Sequence, residues 1–464
     1  MSMKAIRRSL RPDRDEARGR RYILVPLLVA CTMSGVIASC SPENLVGNAP
    51  LPPDVPDPGQ THTPDGAMQA YRGALLFFRL AVAGNQSSVV PIGGLLTDEL
   101  RSAEAGQPGV ISDPVKIDSR FLPEYGGSGD DIVTPGTIRD TYSLLQKSRG
   151  QTHESRGALM AFIPTGSEGL QGHLDAMEGY ADVYLADVFC SGIPLSTLDF
   201  GKDFTYAAGS PTADVYQRAI DLFDSAQTLA ADSDRILNMA RVGKGRALLA
   251  LGKYPDAAAA VSSVPDNFQY ALLFDQSSSG TSSDADVNKS FAYWSFTPFA
   301  GQVPTTMVDR EGLIGLPFMS SGDPRSAFVD DSVDNHGVRR IHPAKYSVAG
   351  DGAVVIASGI EARLIQAEAA LNGGGGNWLD LLNALRTDGS FDTQGNDTLW
   401  HAGTGGVPGL APLSDPGDQD ARVDLVFRER GFWLFLTGTR QGDLRRLIRQ
   451  YHRQANRVYP SGPY

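Results

Sequence analysis

The chain has 464 residues, 41% of them hydrophobic and 20% charged, an ordinary balance for a folded body large enough to bury a sizeable core. Its formal net charge of −12 repels phosphate polymers, which argues against nucleic acid as a partner. Three cysteines cannot build a disulfide framework, so stability has to come from packing.

The first stretch, MSMKAIRRSLRPDRDEARGRR, is basic, and YILVPLLVACTMSGVI behind it is an apolar run of 16 residues interrupted by one proline. That run is short for a spanning helix and has no stop-transfer flank, so residues 1–39 are expected to be a secretory signal peptide. Ile37-Ala38-Ser39-Cys40 is similar to a bacterial lipobox, which implies that Cys40 is acylated and becomes the mature N-terminus. Without residues 1–39 the chain keeps 33 basic and 50 acidic side chains, a net of −17. Electrostatic adhesion to an anionic membrane is thereby disfavoured, and the lipid has to do the anchoring. Cys31 leaves with the signal, so Cys190 alone remains and no intramolecular disulfide can form. Residues 40–66 are Pro-rich and aperiodic, an extended tether between lipid and body.

Thr63-Pro64-Asp65 supplies an N-cap and a proline at the first helical position, and Tyr71, Ala74, Leu75, Phe78 and Val82 follow at helical spacing. Leu174, Met177, Ala181, Tyr184 and Val188 predict an amphipathic helix with that stripe in the core. Cys190 follows in VFCSGIPLS, where a Gly-Pro break ends the helix; with no activating neighbour in sequence it is expected to be a buried structural thiol. Tyr216, Ile220, Phe223 and Leu229-Ala230 mark another helix. In residues 236–264 two helical stretches meet at Leu251-Gly252-Lys253-Tyr254-Pro255, with Ala247, Ala250 and Ala257–Ala260 around the turn. Small side chains let paired helices approach closely, and this segment resembles one tetratricopeptide (TPR) unit.

Residues 360–386 repeat that arrangement around Gly373–Gly376, with Ile360, Leu364, Ala367 and Leu371 as the apolar stripe. Glu361 and Glu368 stand two turns apart, roughly 10 Å, too far to share a proton; they are expected as surface or capping carboxylates. Residues 265–356 and 387–420 hold little regular pattern and read as long irregular insertions, which are often functional inside a compact domain.

No catalytic motif emerges. None of the seven His sits in an HExxH, and His336 and His342 lack a metal-ligand spacing. Asp284-Ala-Asp286-Val-Asn288 copies half of an EF-hand loop, but Lys289 and Ser295 stand where glycine and glutamate are needed. GKGR at 243–246 lacks the P-loop spacing, and no carboxylate pair singles itself out for glycoside hydrolysis. Neither enzyme activity nor a cofactor nor a metal is expected. A sugar asks for an aromatic face beside Asn, Asp, Gln and Arg. The insertions offer Tyr293-Trp294, Phe296, Phe299 and Trp400-His401, with Asn288 and Asn396 nearby. Tyr293, Trp294, Trp400, Asn288 and Asn396 form the candidate ligand-binding set, whereas Trp378 and Trp433 fall in predicted helices and are expected in the core.

Taken in order, AMQAYRGALL (67–76), LLTDELR (95–101), GYADVYLADVFCSGIPLS (179–196), VYQRAIDLFDSAQ (215–227), ALLALGKYPDAA (247–258), DPR (323–325), EARLIQAEAAL (361–371) and LNALR (382–386) are collinear with a known pattern. It closes with Arg428-Glu429-Arg430, Gly438, Arg440 and Asp443-Leu444-Arg445-Arg446. The chain resembles the SusD/RagB family of outer-membrane nutrient-binding lipoproteins. It departs from that pattern at Trp433, Thr437 and Gln441-Gly442.

The resemblance implies a mainly α fold: a TPR-like helix-pair scaffold with long irregular loop insertions and little β. It implies a single domain over 67–464, with TPR-like helices at about 67–264 and 357–456 and insertions at 265–356 and 387–420. Implied too are a lipid anchor in the outer membrane facing the cell surface, a glycan or similar nutrient as ligand, and a TonB-dependent, SusC-like transporter as partner. The alternative is a TPR-like lipoprotein scaffold for another envelope protein, which predicts a concave groove lined by helix residues. In RERGFWLFLTGTRQGDLRRL (428–447), Phe432–Leu436 should be buried, Gly438 should turn the chain and Asp443 should cap the next helix. Arg440, Arg445 and Arg446 should pair with acidic helix faces, with Glu361, Glu368 and Glu429 as candidates; an arginine site for an anionic ligand is the rival.

Overall fold

Thr63 starts the first helix as its sequence demands. The Gly66 N–H donates to Thr63 Oγ1 (3.0 Å), and Pro64 occupies the first turn of α1, Pro64–Val82. The computed structural model describes residues 62–102, 117–118, 136–202, 204–274, 305–333, 339–346, 352–387 and 410–460. After α1 come α2 (Val89–Leu96), α3 (Gly136–Phe162), α4 (Glu168–Val188), α5 (Thr212–Leu229), α6 (Asp234–Ala250) and α7 (Tyr254–Val261). The second half adds α8 (Gly359–Leu371), α9 (Trp378–Thr387), α10 (Gln419–Trp433) and α11 (Arg440–Arg449). Helix α2, VVPIGGLL, is invisible to periodicity because its proline and two glycines read as breakers.

From α3 to α9 each helix packs on the one before it, and α6 also touches α4 and α8. This is the helix-pair stack expected from the turns at Gly252 (φ 71°) and Gly373–Gly376. The chain then folds back on itself: α10 lies on α8, and α11 lies on α2 and α4. One large apolar cluster runs through α1 to α7, and a second gathers Ile360, Leu364, Leu382, Leu385, Val426 and Trp433. Close approach needs bare backbone at one seat in particular, where a Cβ on Gly179 or Gly243 would run into the Phe223 ring.

The strands are short and form two-stranded antiparallel sheets among the described residues. β1 (Leu100–Ser102) pairs β7 (Thr305–Met307), β2 (Ile193–Pro194) pairs β5 (Gly209–Ser210), and β3 (Thr197–Leu198) pairs β4 (Phe204–Thr205). β6 (Gln269–Phe274) pairs β10 (Gly352–Ser358), and β8 (Phe328–Val333) pairs β9 (Arg339–Pro343). Residues 265–356, unpatterned in sequence, thus carry β6 to β10. The signal for β6 was present: Tyr270, Leu272 and Phe274 alternate inward.

Helix α4 overturns its amphipathic reading. The stripe from Leu174 to Tyr184 is buried as expected, but so is every other residue from Gln171 to Asp187. The polar face is covered because neighbouring helices supply partners. Arg156 meets Asp175 (2.9 Å), while Arg149 and Arg218 meet Glu178 and Asp182. His173 bridges two phenols, 2.7 Å from Tyr71 and 2.5 Å from Tyr270. Burial drives its imidazole down to about 3, so the ring is neutral and takes one phenol as donor and the other as acceptor. Cys190, just past the helix, is exposed rather than buried. It lies beyond the C-cap at Phe189, where the chain leaves the core.

Candidate functional site

The sequence-based ligand set, Tyr293, Trp294, Trp400, Asn288 and Asn396, lies outside the described residues, as do Phe296, Phe299, His401, the Asp284 loop, His336 and Cys40. What the structure describes is the base from which the insertions depart. Phe274 of β6 faces Gly352 of β10, so one insertion leaves and returns across a single ladder. Beyond α9, the Leu413 N–H donates to Asn383 Oδ1 (2.7 Å) and the Arg386 Nε–H to the Ala411 carbonyl (2.7 Å). Both segments therefore spring from clamped stems.

The arginine-rich end is structural. Phe432 to Leu436 are buried, and Gly438 turns the chain at φ 77°. Leu436 sits in the left-handed region (φ 51°), a conformation a branched residue rarely adopts. It is held there by its N–H donating to Glu99 Oε1 (2.8 Å), by Tyr346 Oη donating to its carbonyl (2.7 Å), and by Lys345 on the Phe435 carbonyl. Arg446 chelates Glu368 (2.9 and 2.7 Å), one of the expected candidate partners. Arg440 takes Asp98 instead (2.7 and 2.9 Å), and Arg445 takes the carbonyls of Ala186, Asp187 and Phe189 at the end of α4. Glu361 binds Arg246 and Glu429 binds Arg325 and Arg386, so Glu361 and Glu368 are buried ion-pair partners, not surface or capping groups.

Asp443 does not cap α11; it lies inside the first turn between Arg430 (2.8 Å) and Arg446 (2.9 Å). Burial pushes its carboxyl up, but these arginines outweigh burial and hold it down to about 2. Buried or half-buried, and paired with carboxylates and carbonyls inside the protein, these guanidinium groups are poorly placed to receive an anionic ligand.

Among the concavities of the described surface, two are well defined. The larger, about 600 Å³, is a groove between α7 (Pro255, Ala258, Ala259) and α9 (Leu381, Ala384), with Gln366 of α8 and the Gly374–Gly376 turn along it. The smaller, about 300 Å³, is a polar cleft between Asn85 and Ser87 on one side and Asp140, Ser143 and Lys147 of α3 on the other. Neither is lined by an aromatic side chain.

The most exposed aromatic rings among the described residues are elsewhere, on the segment that follows α4. Phe204 is 48% and Tyr206 86% exposed, with ring centroids 4.8 Å apart at 65°. The loop beneath them is fastened to α3 and to itself. Gln146 Nε2 donates to the Pro194 carbonyl (3.1 Å), Arg149 donates to the Ser196 carbonyl, and the Ala207 N–H donates to Ser196 Oγ (3.0 Å). Phe200 is wedged between Phe162 and His62 and sits so close to Gly157 that a Cβ there would stand 2.8 Å from its own. His153 completes the attachment, with Nε2 2.9 Å from Asp199 and Nδ1 3.5 Å from Glu178. A neutral imidazole has one N–H for these two carboxylates; the hydrogen bond to Glu178 and the pull of both acids raise its pKa above the ordinary histidine value.

No helix among the described residues is long and apolar enough to cross a membrane, and no group of His, Cys, Asp and Glu among them could hold a metal ion. No family sequence model and no curated protein sequence matches the chain. Solved structures do. A SusD superfamily protein from Bacteroides vulgatus ATCC 8482 aligns with a TM-score of 0.54 at 13% identity, over 85% of this chain and 91% of its own. A SusD homolog from Bacteroides thetaiotaomicron VPI-5482 aligns with 0.56 at 11% identity, over 85% and 89%. A laminarin-binding SusD-like protein aligns with 0.53 at 13% identity, over 86% and 96%. The protein has the SusD-like fold, mainly helical with small sheets.

Proposed function

We propose that this protein is a lipid-anchored outer-membrane nutrient-binding protein that captures a glycan and hands it to a TonB-dependent, SusC-type transporter, without catalysis. The observation that carries the reading is the SusD-like fold along nearly the whole length of its structural neighbours, one of which binds laminarin. The lipobox-like Ile37–Cys40 ahead of a Pro-rich tether supports an anchor at the cell surface. The insertions at 265–356 and 387–420, with Tyr293, Trp294, Trp400, Asn288 and Asn396, supply the aromatic and amide groups a sugar needs. The groove between α7 and α9 favours a second reading, a scaffold for another envelope protein. Its lining of alanines and glycines offers no aromatic or arginine anchor of the kind that dominates protein interfaces, so it ranks behind.

Two measurements test the reading. Detergent-extracted full-length protein should be retarded in native gels cast with at least one of laminarin, starch or xylan; equal mobility in all of them and in a blank gel removes glycan capture. The Cys40→Ser chain should shift from the membrane to the soluble fraction, and unchanged partitioning removes the anchor.

A further inference from the structure

We infer that Tyr206, backed by Phe204, is a stacking platform for a pyranose ring, a sugar subsite on the α4–α5 connection separate from the insertions. The assignment rests on the glycan reading above and extends it to residues the sequence did not single out.

Four observations point there. Tyr206 and Phe204 are the aromatic rings most open to solvent among the large exposed apolar side chains of the described residues. Their edge-to-face contact braces the Tyr206 ring against its neighbour, and at 86% exposure that ring stays open to solvent, as stacking on the apolar face of a sugar requires. The backbone beneath is already ordered by Gln146, Arg149, Ser196 and the wedge of Phe200, so little conformational entropy remains to be lost on binding. Polar groups stand on the same hairpin: Asp199 and Lys202 pair at 3.3 Å in its turn, with 42% and 71% of their side chains exposed to solvent. Protein docking is the poorer match. Two rings flanked by Ala207, Ala208, Gly209 and a charged pair make a small apolar patch, whereas a stable protein contact needs many hundreds of Å².

The test uses full-length protein in the same laminarin, starch and xylan gels. Tyr206→Ala should weaken binding to whichever polysaccharide retards the wild type by several-fold to about tenfold, Phe204→Ala should weaken it less, and Tyr206→Phe should bind as the wild type because the ring face is kept. At 86% exposure the Tyr206 side chain holds little of the fold, so an unchanged melting curve accompanies the loss. A retarded wild type with an equally retarded Tyr206→Ala variant overturns the platform and leaves glycan capture standing. A wild type that no gel retards overturns glycan capture, and the platform falls with it.

Discussion

Helix α4 and the hairpin segment directly after it invert the usual distribution of polarity. From Gln171 to Asp187 every residue is buried, carboxylates included, with Glu178 at 1% exposure. A few residues on, Phe204 and Tyr206 stand in water. Both placements have a cost in isolation, an ion without its hydration and an apolar ring without cover. They differ in where the compensation comes from. Around α4 it is internal, through Arg149, Arg156, Arg218 and His153 on flanking elements. For the hairpin no described residue buries the outer ring, which leaves it open to the ligand proposed above. Burial follows the partners a fold provides, more than the polarity of each residue.

Removing an internal partner should have the largest effect. Glu178→Ala leaves the buried Arg149 guanidinium one carboxylate among the described residues, Asp182 at 4.0 Å, and takes a carboxylate from Arg218 and His153. The expected loss is about 3 kcal/mol, the lower end for breaking a buried pair because Asp182 remains. A urea midpoint unchanged from the wild type would show that the charges on α4 are not held by pairing.

Next comes the joint between the two regions. Gly157→Val puts carbon where the Phe200 Cβ already is, and since that atom is fixed to the backbone the hairpin has to shift. The expected cost is about 1–3 kcal/mol, outweighing the better helix propensity of valine over glycine. Protease cleavage should accelerate selectively between residues 190 and 211; a cleavage rate equal to the wild type would mean that Phe200 does not pin the hairpin.

The smallest effect is on pH. His153 faces Glu178 of α4 and Asp199 of the hairpin, with Arg218 of α5 opposing, and its folded-state pKa is raised. A raised histidine contributes stability that is full below its unfolded value of about 6.5 and is lost as pH rises through the folded value. Wild type should therefore lose up to about 1 kcal/mol across that window, and His153→Gln should lose less. Parallel stability–pH curves for the two proteins would remove His153 as a latch.

Legibility in the sequence was uneven for physical reasons. The N-cap at Thr63 and the paired helices around Gly252 and Gly373–Gly376 follow from local chemistry and were readable from spacing alone, whereas the burial of Phe432–Leu436 was expected with the family resemblance. Helix α2 was not, since tertiary packing against α11 overrides its Pro and Gly content. Nor was the choice of partners in the arginine-rich end, where Arg440 reaches Asp98 across 342 positions of chain. Of the candidate site, the loops and their aromatics could be named from composition. The Phe204–Tyr206 pair could not be singled out, because in FTYAAGS nothing distinguishes an exposed ring from a buried one.

By itself, then, the sequence determined the helical repeats, their turns, the acidic balance and the lipobox-like Cys40, all of which depend on residues within a turn or two of one another. The tertiary structure decided which carboxylate each arginine takes, that α4 is enclosed on all sides, that Cys190 faces solvent, and that the Phe204 and Tyr206 rings stay outside. Those outcomes turn on contacts between segments far apart in the chain, where desolvation and pairing are settled only once the helices have stacked.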